Sequence, residues 1–161
     1  VNILDAQIHT WQNGLCINVF NVAPPLDPIF ESEKWDRIEA DLRAALAGAL
    51  DLSAELAAVI DKQRSAPLPE GRRPNRVEVD NAASSFYTLI EVFTHDAPGV
   101  LFRITDALHR SRLDIKSAQI ATKVDQVVDV FYVQDLSGQK VDAPEQVDEI
   151  RSAVTAVLPF P

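Results

Sequence analysis

The sequence predicts an α+β fold, an antiparallel sheet with helices on one face, and three observations carry that prediction. The chain repeats part of itself. The repeated part reads strand, turn, strand, helix in order. The second copy has a further strand and helix in front. Sliding the chain by 112 residues lays Ile3-Leu4-Asp5-Ala6-Gln7-Ile8 on Ile115-Lys116-Ser117-Ala118-Gln119-Ile120, and Thr10 on Thr122. At an offset one shorter, Asn18-Val19-Phe20-Asn21-Val22 falls on Asp129-Val130-Phe131-Tyr132-Val133. The change falls at Gln12-Asn13-Gly14 against Val124-Asp125, a turn, where a length change costs little. The first offset then returns: Trp35, Ile38, Leu42 and Leu46 fall on Val147, Ile150, Val154 and Leu158, spaced as one helix face.

The first copy spans residues 1–80. After its two strands and the Trp35 helix comes a second helical stretch, Ser53 to Arg64, with Ser53 as N-cap and a Leu56, Val59, Ile60 stripe. Residues 65–75 are a linker by their proline and charge content. Arg76 to Asp80 alternates and reads as the first copy's closing strand. The second copy spans residues 84–158. Phe86 to Thr94 is aromatic and β-branched, a strand. His95-Asp96-Ala97-Pro98-Gly99 is a turn, and Val100, Leu101, Ile104, Ala107 and Leu108 form the apolar face of the next helix. The last helix shows a capping-box pattern, Asp142-x-x-Glu145, with Pro144 in its first turn, and ends at Leu158. The order strand–helix–strand–strand–helix–strand is the split βαβ, ferredoxin-like unit. The first copy lacks the opening strand and helix, which by the same repeat would fill about 27 positions before residue 1. The lack of any Met fits a piece of a longer protein. The second copy has no closing strand after it: that strand is absent, removed, or supplied by a partner.

Composition excludes several classes. The net charge of −9 repels phosphate backbones, so no nucleic-acid partner is expected. A single cysteine, Cys16, allows no internal disulfide, and with three scattered His it makes no zinc site. No apolar run reaches the roughly 20 residues of a membrane span, and no leader opens the chain. The expected location is the cytoplasm, with no membrane partner. No glycine-rich phosphate loop exists, because the five glycines are isolated. Ser84-Ser85 lack a nucleophile elbow. His95-Asp96 matches the metal-phosphohydrolase dipeptide by coincidence, since further ligands are missing. Cys16 reads as a small buried hydrophobe, Trp35 as core and Trp11 as an interface aromatic. Gln7 and Gln119 either line an interface between the copies or face water.

One turn has the chemistry to bind an amino acid. A carboxylate suits a helix N-terminus, where free N–H groups and the dipole attract anions. Pro98 lacks an N–H that the helix would not use, and Gly99 lets ligand atoms approach the backbone. Asp96 either caps the helix or meets the ligand's ammonium. The candidate binding residues are Asp96, Ala97, Pro98, Gly99, Val100 and Leu101. Asn2, at the entrance of the first strand, is either a plain polar residue there or, as the resemblance given next implies, the seventh; the second copy has Asp114 there, which suggests that the two copies are not equivalent sites.

Asp96-Ala97-Pro98-Gly99-Val100-Leu101 resembles the D-x-P-G signature of ACT domains. Asn2 to Ile8 is similar to that family's second strand, where the Asn contacts effector in many members. With the Trp35–Leu42 helix and the string DVFYVQDLSGQKV, the chain resembles the paired ACT domains of bacterial uridylyltransferase/uridylyl-removing enzymes. That resemblance covers roughly residues 2 to 158. It implies a regulatory module that senses glutamine, needs no cofactor of its own and holds no catalytic residue. It also implies catalytic nucleotidyltransferase and phosphohydrolase domains upstream, the PII signal protein as the parent's substrate, and a homodimer as one assembly. Two alternatives stay open: an ACT-type dimerisation or interaction module without a small ligand, and an ACT pair of another amino-acid metabolic enzyme.

Overall fold

A computed structural model describes residues 3–11, 13–24, 31–63, 74–123 and 126–159. In chain order the elements are β1 (Ile3–Thr10), β2 (Cys16–Val22), α1 (Glu31–Leu46), α2 (Leu52–Gln63), β3 (Arg76–Asp80), β4 (Thr88–His95), α3 (Val100–Arg110), β5 (Leu113–Lys123), β6 (Gln126–Asp135) and α4 (Pro144–Val157). They fall into two compact units. One holds Asn2–Val22 with Gly71–Pro161, the other Ala23–Glu70.

All six strands form one antiparallel sheet in the order β2-β1-β5-β6-β4-β3. The α+β class is therefore as expected. The two repeated hairpins share their register residue for residue. Ala6 pairs with Phe20 as Ala118 pairs with Phe131, and Thr10 pairs with Cys16 as Thr122 pairs with Val127. Even the irregularity recurs: the register shifts between Ile3 and Asp5 in one hairpin and between Ile115 and Ser117 in the other. A β-bulge of this kind pins register and bends the strand.

The strand expected to close the first copy has another partner. Arg76–Asp80 pairs antiparallel with β4, Val77 opposite Val92 and Val79 opposite Ile90. The order β5-β6-β4-β3 is that of a ferredoxin-like sheet whose closing edge strand precedes the unit instead of following α4. This also corrects the expectation that the second copy lacks a closing strand within the chain. The edge is fastened at its N-terminal end. The Arg76 guanidinium lies 4.0 Å over the Phe93 ring, and Asn75 Nδ2 donates to the Pro159 carbonyl at 3.2 Å. A side-chain hydrogen bond and a cation–π contact hold the start of this edge strand.

Helices α3 and α4 lie on one face. Val100, Ile104, Ala107, Leu108, Ile150 and Val154 bury against Ile90, Val92, Ala118, Ile120, Phe131 and Val133. The strand residues obey the period of two, so their neighbours in sequence look to the other face. A polar lock closes the loop before β4. Thr88, fully buried, donates from Oγ1 to Asn81 Oδ1 at 2.7 Å and accepts from the Val141 N–H at 2.9 Å. Asn81 Nδ2 in turn donates to the Val141 carbonyl at 2.7 Å, and Lys140 Nζ to the Ser84 carbonyl at 2.8 Å.

Several local expectations need correction. Strand β4 starts at Thr88, and Phe86 stays exposed ahead of it. The capping box does not form: the N-cap of α4 is Ala143, without a side-chain cap bond, because Pro144 takes the first helical position. Asp51, not Ser53, caps α2; its Oδ1 accepts from the N–H groups of Ser53 at 2.9 Å and Ala54 at 3.1 Å. Cys16 is exposed, because β2 is an edge strand with little over either face. Trp35 is exposed too, and α1 has no buried residue; Leu46 on the same stripe is 81% exposed. Most of the expected linker, residues 65–73 of 65–75, lies outside the described residues, as does Arg64 at the end of the expected helix. Among the described residues no helix is long and apolar enough to cross a membrane.

Candidate functional site

The turn between β4 and α3 forms as the sequence suggests, but its residues divide the work differently. Gly99 is itself the N-cap of α3, in the left-handed conformation at φ 70° and ψ 16°, with no side-chain cap bond. A side chain there would be strained, which explains the glycine physically. The Val100 N–H bonds the Ala97 carbonyl at 3.1 Å, and the Arg103 N–H bonds the Gly99 carbonyl at 3.0 Å. Asp96 therefore does not cap the helix; its carboxylate is exposed. Ala97 and Leu101 are partly buried and pack on the core, Val100 is buried, and Pro98 is exposed. Asn2 lies outside the described residues. The structure thus brings together six of the seven expected positions as one continuous turn.

Sequence reading missed the residue beneath that turn. Asp129 stands on β6 opposite Val92 of β4 and Ile120 of β5, on the helix-covered face with Val127 and Phe131. It is fully buried, and no well-formed hydrogen bond from the described residues reaches either carboxylate oxygen. Burial pushes its pKa up from 3.8 to about 7; the backbone of Ala121 opposes the shift, and the nearby Asp96 charge adds to it. A carboxyl group in this state is ready to meet a cation or to hold a proton. The signal was present in the phase of the strand. In Val127-Val128-Asp129-Val130-Phe131 the acid takes an inward position of an apolar run. On α3, Arg103 keeps its Nε buried without a hydrogen-bond partner among the described residues, and desolvation lowers its pKa. Asp129 and Arg103 Nε are thus the buried polar groups of this region without a hydrogen-bond partner among the described residues. Among the described residues no group of three His, Cys, Asp or Glu could hold a metal ion.

Gln7 and Gln119 are both exposed, directly opposite each other where β1 meets β5.

The sheet and helices define an α+β protein with a six-stranded antiparallel sheet, an arrangement compatible with ferredoxin-like modules. Its relatives give that class a particular setting. The chain is 36% identical over 151 residues to the bifunctional uridylyltransferase/uridylyl-removing enzyme of Novosphingobium aromaticivorans, a match covering 92% of the chain. It is 35% identical over 158 residues to the enzyme of the same name from Gluconobacter oxydans, and 36% over 163 residues to that of Rhodospirillum rubrum, each match covering 98% of the chain. Over nearly its whole length the chain belongs with one region of the bifunctional uridylyltransferase/uridylyl-removing enzymes. It spans only 16% to 17% of the length of these relatives. No family model and no solved structure matches it.

Proposed function

We propose that this chain is a glutamine-sensing regulatory region, a tandem pair of ACT-type modules within a uridylyltransferase/uridylyl-removing enzyme. The first module lacks its opening strand and helix in this chain. The parent enzyme carries catalytic domains upstream and acts on the PII signal protein in the cytoplasm, controlling nitrogen metabolism. The common register and common bulge of the two hairpins support the tandem reading. The observation that carries the sensing reading is Asp129, a buried carboxyl group with no well-formed hydrogen bond among the described residues, beneath the α3 turn. In this reading the ligand's carboxylate sits at the N-terminal N–H groups of α3, and its ammonium draws on the acidic side of the site. Ligand charge then stabilises the packed state of α3 on the sheet, and that packing is the signal passed to the rest of the enzyme.

The test is a calorimetric titration of glutamine into the chain. Saturable heat that weakens in Gly99→Ala supports the assignment. Heat from glutamine that is indifferent to both Gly99→Ala and Asp129→Asn would move the site elsewhere. A second reading, an interaction module that dimerises without a small ligand, draws on the exposed edge strand β2. There Ile17, Val19 and Phe20 are all open to solvent. Amino-acid titration separates the two, because an interaction module stays silent while its self-association depends on concentration.

A further inference from the structure

The face of the sheet away from α3 and α4 carries a cavity of about 570 Å³, within the range of small-molecule sites. Its floor is a row across three strands. His9 of β1 pairs with Ser117 of β5, which pairs on its other side with Tyr132 of β6. Tyr87 and Trp11 complete an aromatic wall, and Lys116 lies beside Ser117. The chain has only two tyrosines and two tryptophans, and three of those four rings line this one cavity.

The phenols of Tyr87 and Tyr132, the indole N–H of Trp11 and the Gln119 amide make no hydrogen bond to other described residues. The lining contains a lysine and a histidine but no carboxylate, in a chain whose net charge is −9. Lys116 Nζ is ion-paired with the carboxylate of Asp114, which lies outside the lining, so a bound anion would share the ammonium with that carboxylate. His9 Nδ1 lies 3.4 Å from Ser117 Oγ. Tyr87 and Tyr132 meet edge to face with ring centroids 6.3 Å apart.

The repeat supplies an internal control. The same backbone row at the other end of the β1–β5 pair is Ala121, Asp5 and Asn21, with Leu4 in the place of Lys116. There Asn21 Nδ2 donates to Asp5 Oδ2 at 2.9 Å. None of these four residues is a ring or a cation, although strand pairing and bulge are the same. The fold therefore does not require aromatic and basic groups at these positions.

The geometry points to a binding site for a nucleoside monophosphate on this open face. Neighbouring strands lie about 4.8 Å apart, so the row from His9 to Tyr132 is about 10 Å across its backbone. A mononucleotide spans that length. Its phosphate meets Lys116, Ser117 and His9, and its base lies against Tyr87, Tyr132 or Trp11, since aromatic side chains accept any base by stacking. The free donors of the lining face acceptors on the base and ribose. This site is separate from the α3 turn and stands or falls without it.

The experiment is a ¹H–¹⁵N NMR titration of the chain with AMP, GMP, CMP and UMP, with adenosine and inorganic phosphate as separate arms. The expected result is a saturable shift of the Trp11 indole signal and of the Ser117 and Gln119 amides with at least one mononucleotide. Lys116→Ala, Tyr132→Leu and the exposed Trp11→Ala should each weaken it about tenfold, the effect of losing one charged or stacked contact. Spectra of the free variants report whether each retains its fold. The proposal is overturned if no mononucleotide gives saturable shifts, if none of the three variants weakens binding, or if phosphate alone binds as well as the nucleotides.

Discussion

Gln7 and Gln119 occupy the same position of the repeat and pair directly across the β1–β5 boundary. Asp5 and Ala121 stand two steps from this pair on one side, His9 and Ser117 two steps on the other. The pair therefore marks a local two-fold axis that relates the two hairpins. Symmetry of this kind lets one strand design serve twice. It also makes departures from it informative, because backbone demands are equal at both ends.

The first departure is Phe20 against Phe131. Both pair with an alanine at the same register, yet Phe131 is fully buried and Phe20 is 46% exposed. Phe131→Ala should cost about 3–5 kcal/mol, as for other buried aromatics. Phe20→Ala in this chain should cost under about 1 kcal/mol, as an exposed site does. Urea denaturation of both variants checks this, and equal losses would mean that the first hairpin is covered in solution.

The Thr88 lock makes a second prediction. Thr88→Val keeps the shape but strands the Val141 N–H and the Asn81 side chain in a buried place. The expected loss is about 2–3 kcal/mol, the cost of unsatisfied buried polar groups. A thermal melt of the variant reads it. A loss near zero would show that water replaces the hydroxyl.

Asp129 predicts a pH dependence. Its folded pKa, about 7, lies above the ordinary 3.8, so the folded state holds the proton longer than the unfolded chain does. The associated stability is fully present below about pH 4 and is lost as pH rises through about 7. Asp129→Asn removes this dependence. Between pH 5 and pH 8 the wild type should lose up to about 3 kcal/mol more than the variant, at about 1.4 kcal/mol per pH unit. Denaturant midpoints at the two pH values decide it. Parallel losses would show the carboxylate ionised and paired.

Gly99→Ala places a Cβ at φ 70°. It should destabilise the chain by about 1 kcal/mol, the cost of a left-handed conformation for an L-residue. If the turn binds ligand, affinity for glutamine falls as well. Stability measured without ligand and titration measured with it separate the two effects.

Much of the sheet was legible because it rests on local pattern. The recurrence of Ile3 to Ile8 at Ile115 to Ile120 and of Asn18 to Val22 at Asp129 to Val133 places the hairpins from sequence alone. The pairing of Arg76–Asp80 with β4 was not legible. Strand propensity marks a strand but does not choose its edge, which tertiary contacts decide. Capping at Asp142 failed because Pro144 moves the helix start one residue on, a competition between two local rules. Asp129 was passed over because β6 was identified by its match to Asn18–Val22, where the acid falls on another polar residue, Asn18, and its inward phase was not read.

The most direct test of the central claim is a thermal-shift titration against the twenty amino acids, run on this chain and on the full-length polypeptide. The account predicts that glutamine selectively raises the melting temperature. At a hundredfold excess over Kd the gain is about 2.7 kcal/mol, several degrees for a protein of this size. Silence from all twenty amino acids in both would contradict it and leave an interaction module.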